Sequence, residues 1–187
     1  MTDTETSAGS YFTMEQLLAL IPGDNGRICE SIYTEHRDLF RRVPGSSHNH
    51  QAWPGGYHDH VVETMNIACL LYAAMSAVRH LPFSLGDALL IMFLHDIEKP
   101  WKYELDDCGE LQVKPGLESK DAQRDFRNEL LAEYGIVFTP EQANAMEYVE
   151  GECKNYSNRR RVSWPLAAFC HVCDVTSARI WFDRPDA

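Results

Sequence analysis

A chain of 187 residues with 44% hydrophobic content is long enough to bury one sizeable core without disulfides, so a single domain is expected. Its net charge of −11 disfavours broad capture of duplex nucleic acid, while a small anion held by a local cationic pocket stays compatible with it. No run of about 18 uninterrupted apolar residues occurs, and residues 1–10 are polar and acidic, so a cytoplasmic protein with no membrane partner is expected.

Cys29, Cys69, Cys108, Cys153, Cys170 and Cys173 lie mostly inside apolar segments and follow no framework spacing. They are expected to be reduced core thiols.

Apolar residues recur mostly at helical spacing, which predicts an all-α protein with one β-hairpin. Residues 1–10 read as a flexible tail ahead of a domain over residues 11–187. Thr13 caps a short helix that Pro22-Gly23 has ended, and a second helix is predicted over residues 27–42. Residues 44–56, rich in Ser, Asn, His, Pro and Gly, form a loop that leads into a long helix over residues 57–79. Ser84 caps residues 85–95, whose hydrophobicity on all sides marks a central buried helix. Pro100 is expected to end it.

Residues 102–113 alternate around Asp106-Asp107-Cys108-Gly109 as a small hairpin flap. An amphipathic helix follows over residues 119–134 with Gly135 beyond its end, and Thr139-Pro140-Glu141 opens another. Residues 151–162 form a polar loop. Ser163-Trp164-Pro165 starts the last helix, predicted to run to about residue 182, with His171 and Asp174 on one face.

Four residues on these helices have the chemistry of a metal centre. His60 falls near the start of the long helix, His95-Asp96 at the end of the buried one and Asp174 within the last. Two imidazoles and two carboxylates suit one divalent ion: manganese, cobalt, nickel, zinc, magnesium or iron. They can converge only if the helices pack around a shared point, as in bundle metal sites.

The order of motifs resembles the HD-domain superfamily of metal-dependent phosphohydrolases over residues 55–179. Gly55-Gly56-Tyr57-His58-Asp59-His60 is similar to its Gly-Gly-x-x-x-His element, His95-Asp96-Ile97-Glu98-Lys99 to its His-Asp-Ile-Gly-Lys signature, and Asp174-Val175-Thr176-Ser177-Ala178-Arg179 to its distal aspartate helix. The resemblance implies an HD-type helical bundle with His60, His95, Asp96 and Asp174 as metal ligands. It also implies hydrolysis of a (deoxy)nucleoside mono- or triphosphate by a metal-activated water. Binuclear members add histidines between the His-Asp pair and the last aspartate. Here only His171 lies there, so one ion is expected, with His171 as a polar neighbour.

Glu98 departs from the family glycine and is a candidate to orient the water; Lys99 matches the family lysine and is a candidate to hold a phosphate oxygen. Residues 47–56 are similar to the His-rich lead-in of HD-type 3′-5′ exoribonucleases, which makes His48, His50 and His58 candidates for phosphate contact or proton donation and Trp53 a candidate for base stacking. Arg159 and Arg160 belong to the one dense basic run, with Arg161, and are further substrate-binding candidates. An alternative activity is therefore phosphodiester cleavage on single-stranded nucleic acid. Cys170-His171-Val172-Cys173 has a zinc-like spacing but sits inside an amphipathic helix without a second pair of ligands, so it is read as core. Oligomeric state is left open, homo-oligomers included.

Overall fold

The computed structural model describes residues 11–46, 49–105, 111–181 and 183. The expected tail over residues 1–10, His48, the hairpin turn with Cys108 and the predicted end of the last helix lie outside the described residues. Those described are mostly helical with one antiparallel pair of short strands.

The first helix, α1 (Met14–Leu18), starts at Thr13, which forms a capping box with Gln16. α2 spans Gly23–Phe40, four residues earlier at its start than the sequence pattern suggests, because Gly23 takes a φ of 75° and lets the chain turn directly after Pro22. α3 (Gly56–Val78) and α4 (Leu85–Leu94) follow. Ser84 and Asp87 cap α4 reciprocally, and its residues from Ala88 to Leu94 are all buried, as an all-round apolar helix requires.

Pro100 does not end α4. The helix closes at Leu94 with His95 as its cap, the chain turns through Asp96 and Ile97, and Pro100 lies in the first turn of a new short helix, α5 (Lys99–Lys102). Proline has no N–H to lose there, so it favours starting a helix rather than breaking one.

Strands β1 (Tyr103–Leu105) and β2 (Leu111–Val113) pair antiparallel with Glu104 opposite Gln112. α6 (Lys120–Glu133) is capped by Ser119 and ends before Gly135 at φ 80°, while α7 (Pro140–Tyr148) is capped by a Thr139–Gln142 box. A single 3-10 turn, Cys153–Asn155, interrupts the following loop. The last helix, α8 (Pro165–Ile180), opens with proline after Trp164.

α3 packs on both α4 and α8, and α7 packs on α4 and α8, so α4 lies inside a helical cage. The described buried residues form one core from Met14 to Cys173. By length and composition α3, with mean hydropathy 1.6, is the one helix among the described residues that could cross a membrane. Its apolar run is interrupted by His60, Glu63, Thr64 and Asn66, and its first half is mostly buried against neighbouring helices while residues 73–78 are exposed.

The cysteines divide by burial. Cys29, Cys170 and Cys173 are buried, Cys69 is half-buried and Cys153 is exposed, all of them free thiols. Burial pushes Cys173 up to about 12, which agrees with a core role for the Cys170–Cys173 stretch.

Two adjacent glycines set the entry to α3. Gly55 adopts φ 86°, in the left-handed region, and a Cβ on Gly56 would fall 1.9 Å from the carbonyl oxygen of Gln51. Only a bare backbone at position 56 lets the 44–56 loop fold over the start of α3. That contact places His50 and Gln51 beside His60.

Candidate metal centre

Three helices bring the ligand candidates together. His60 comes from the end of the first turn of α3, His95 from the cap of α4 and Asp174 from the middle of α8. One donor atom from each lies within 4.8 Å of the others, so the three form a group able to hold a metal ion. His60 Nε2 is 3.3 Å from both His95 Nε2 and Asp174 Oδ1, and His95 Nε2 is 3.7 Å from Asp174 Oδ1.

The ring tautomers follow from the groups behind them. His95 Nδ1 is 2.8 Å from the Met92 carbonyl, which only accepts, so Nδ1 carries the proton. Ser177 Oγ donates to Glu63 Oε2 at 2.5 Å, leaving its lone pairs to accept from His60 Nδ1 at 3.0 Å and from Gln51 Nε2 at 3.1 Å. In their neutral forms both rings therefore turn Nε2 lone pairs toward each other and toward a carboxylate. Three electron-rich atoms facing one point are mutually repulsive unless a cation or a proton lies among them. The donor set therefore fits a divalent ion, with Nδ1 of each ring held as ligating histidines are usually held.

The electrostatics show the same demand. Burial pushes His60 down to about 4. Burial also opposes a proton on His95, yet the Asp96 and Asp174 carboxylates outweigh it and raise that ring to about 9. Burial opposes the charge on Asp174, but its contacts with the His60 and His95 rings outweigh that and hold its carboxyl well below the usual range. Without a metal, the His95 proton supplies the positive charge.

Asp96, the fourth expected ligand, is close but otherwise engaged. Its Oδ2 lies 3.4 Å from His95 Nε2 and 3.9 Å from His60 Nε2, while Lys99 Nζ approaches it to 2.5 Å. Desolvation of Asp96 is overcome first by the Lys99 ammonium, so its carboxyl stays well below the ordinary range. Lys99 also donates to the Gly45 carbonyl at 2.6 Å, tying the loop to the α4–α5 turn.

The centre opens into a cleft of about 530 Å³. Lys99 and His50, two of the candidates for phosphate contact, line it. His50 Nδ1 lies 2.7 Å from Gln51 Oε1, so it donates there and keeps Nε2 for the cleft. His171 also lines the cleft, with Nδ1 held by the Val149 carbonyl at 2.8 Å.

The remaining candidates lie elsewhere. Glu98 faces a neighbouring cavity of about 320 Å³ instead of the cleft, because two residues along a helical turn reverse the side-chain direction. Its burial, with the Asp96 charge next, raises its carboxyl to about 7. His58 points to the opposite side of α3 from His60, stacked on Tyr33 with Nε2 3.1 Å from the Tyr33 hydroxyl. Trp53 donates to Asp59 Oδ2 at 2.8 Å, outside the cleft. Arg159 and Arg160 stay on the exposed loop and line neither cavity.

Lys120 and Arg179 line the cleft instead. They were missed because the arginine run is denser in sequence, although density says nothing about position. The supporting Gln51–Glu63–Ser177 network was missed too. Glu63 lies three residues after His60 and Ser177 three after Asp174, a helical spacing that puts each on its ligand's face.

No protein-family model, curated protein or solved structure matches the chain.

Proposed function

We propose that the protein is a metal-dependent phosphohydrolase of HD type that acts on a (deoxy)nucleoside mono- or triphosphate. One observation carries this reading: in a chain of net charge −11, Lys99, Lys120 and Arg179 surround the same cleft as the His60–His95–Asp174 triad. Lys99 is paired with Asp96 and Lys120 with Glu150 at 3.3 Å, so these cations offset the acidic lining of the cleft and leave the charge of a bound ion to attract an anion beside it. The order of the motif residues on α3, the α4 cap and α8 supports the HD-type arrangement.

A divalent ion in the triad would polarise a phosphoryl oxygen and lower the pKa of a bound water. The chain's own groups do the rest. Lys99, anchored by Asp96 and Gly45, presents its charge at the cleft wall, where a phosphate oxygen gains a charge-assisted hydrogen bond. Lys120 and Arg179 neutralise further negative charge as it develops. His50 and His171, each with Nδ1 engaged behind it, keep Nε2 available to hold or pass a proton at the substrate. Glu98, facing away, has no part in orienting the water.

Cleavage of single-stranded nucleic acid has less support, since Arg159 and Arg160 lie away from the cleft. The test is phosphate release from a panel of nucleotides and short oligonucleotides, with manganese, cobalt, nickel, zinc and magnesium supplied in turn. Metal-dependent release from mononucleotides, abolished by chelator, is expected. No release from any nucleotide with any ion would overturn the reading.

A further inference from the structure

We propose that the cavity beside the cleft is a second subsite, which seats a nucleobase while the phosphate lies at the metal centre. This rests on the nucleotide reading of the cleft. The cavity encloses about 320 Å³ and is lined by Glu98, Gln123, Arg127, Met146, Tyr148 and Cys153 among others. Lys120 and Glu150 line both spaces, so they adjoin along a common wall.

Two observations point to a ligand there. Glu98 is 6% and Arg127 8% exposed, yet Glu98 Oε2 and Arg127 Nε have no hydrogen-bond partner among the described residues. Folded proteins rarely leave such groups unsatisfied, because each has given up its water for nothing. The two do not pair with each other either: among the described residues they form no ion pair. Arg127 is held away by its bond from Nη1 to the His95 carbonyl at 2.5 Å, and Glu98 is fixed by the turn after α4.

The chemistry of the missing partner follows from the two orphans. A carboxylate oxygen accepts and a guanidinium N–H donates, so the occupant suits the pair when it offers a donor to Glu98 and an acceptor to Arg127. A neutral occupant adds no further charge to a space already lined by Glu98 and Arg127. A planar heterocycle with N–H next to C=O or a ring nitrogen meets both conditions, and Met146 and Tyr148 give it apolar wall. At the rim, Cys153 holds a φ of 41°, a strained backbone of the sort retained at ligand sites.

The test uses Cys153, an exposed thiol in the lining, and two substrates. On the wild-type protein, a nucleoside at millimolar concentration should slow alkylation of Cys153 by iodoacetamide several-fold, followed by peptide mass spectrometry, whereas ribose should not. With metal supplied, Glu98→Gln should lower kcat/KM for a mononucleotide about tenfold and leave hydrolysis of p-nitrophenyl phosphate, which has no base, unchanged. Cys153 alkylation unaffected by nucleosides, or equal losses on both substrates, would overturn the subsite. Protection of Cys153 without hydrolysis of either phosphate would support the subsite and sink the phosphohydrolase reading instead.

Discussion

The metal cleft and the cavity beside it share Lys120 and Glu150, yet they treat polar groups in opposite ways. In the cleft, each imidazole of the triad has its Nδ1 engaged, by the Met92 carbonyl behind His95 and by Ser177 behind His60, with Ser177 itself bonded to Glu63 and Gln51. In the cavity, a buried carboxylate oxygen and a buried guanidinium N–H have no partners among the described residues. The first arrangement aims lone pairs at a fixed point and suits a small ion. The second leaves donors and acceptors open and suits an organic group that brings its own. Preorganisation behind a ligand and vacancy in front of one are thus different signatures, and neither is visible in composition.

Breaking the cleft should have the largest effect. His95→Ala removes one ligand and the proton-bearing ring between two carboxylates, so metal content and phosphate release should fall to background. Full metal content by elemental analysis would remove His95 from the centre.

Weakening the support behind the triad should cost less. Ser177→Ala takes the acceptor from His60 Nδ1 and a partner from Glu63 and Gln51, and losses at that distance from a metal are about 10–100-fold in affinity. Metal titration followed by intrinsic fluorescence would measure it; unchanged affinity would mean the network is only structural.

The metal-free centre should also show its charge demand in pH. Histidine ordinarily titrates near 6.5, and folding raises His95 to about 9. Stability from that proton is complete below pH 6.5 and is lost as pH rises through about 9. His60, depressed to about 4, acts in the other direction, lowering stability as pH falls from 6.5 toward 4. Thermal melts in chelator between pH 7 and 9.5 should therefore fall, and a divalent ion should remove that alkaline decline. Melts that stay level in chelator would show that no such proton is held.

A smaller effect is expected where loop and helix meet. Gly56→Ala forces a Cβ against the Gln51 carbonyl, costing about 1–3 kcal/mol, which for a chain of this size lowers Tm by roughly 2–4 °C per kcal/mol. A Tm unchanged by calorimetry would mean the loop shifts freely. Smallest of all, Arg159→Ala with Arg160→Ala should leave nucleotide hydrolysis and Tm unchanged, since both are exposed and line neither cavity. A loss confined to oligonucleotides, diminishing with salt, would favour the nucleic-acid alternative.

How far the site was legible varies residue by residue. His60, His95 and Asp174 could be read because each has a distinctive local setting: a Gly-Gly helix entry, a His-Asp pair at the end of an apolar helix, and an aspartate inside an amphipathic one. The caps at Thr13, Ser84, Ser119 and Thr139 were legible for the same reason, since capping is decided within four residues. Glu98 was misplaced because its proximity to Asp96 in sequence hides a reversal of direction in the turn. Lys120 and Arg179 were invisible because their place in the cleft depends on how α6 and α8 pack, which no local pattern encodes. Pro100 was read as a stop when its position in a first turn made it a start.

The central claim is that His60, His95 and Asp174 hold one divalent ion. Equilibrium dialysis of chelator-stripped protein against manganese, cobalt or zinc, with the bound ions counted per chain in the wild type and in Asp174→Ala, tests it most directly. The account predicts one ion per wild-type chain for at least one of these metals, and loss of that ion in the folded variant. No stoichiometric binding by the wild type, or full binding by Asp174→Ala, would contradict it.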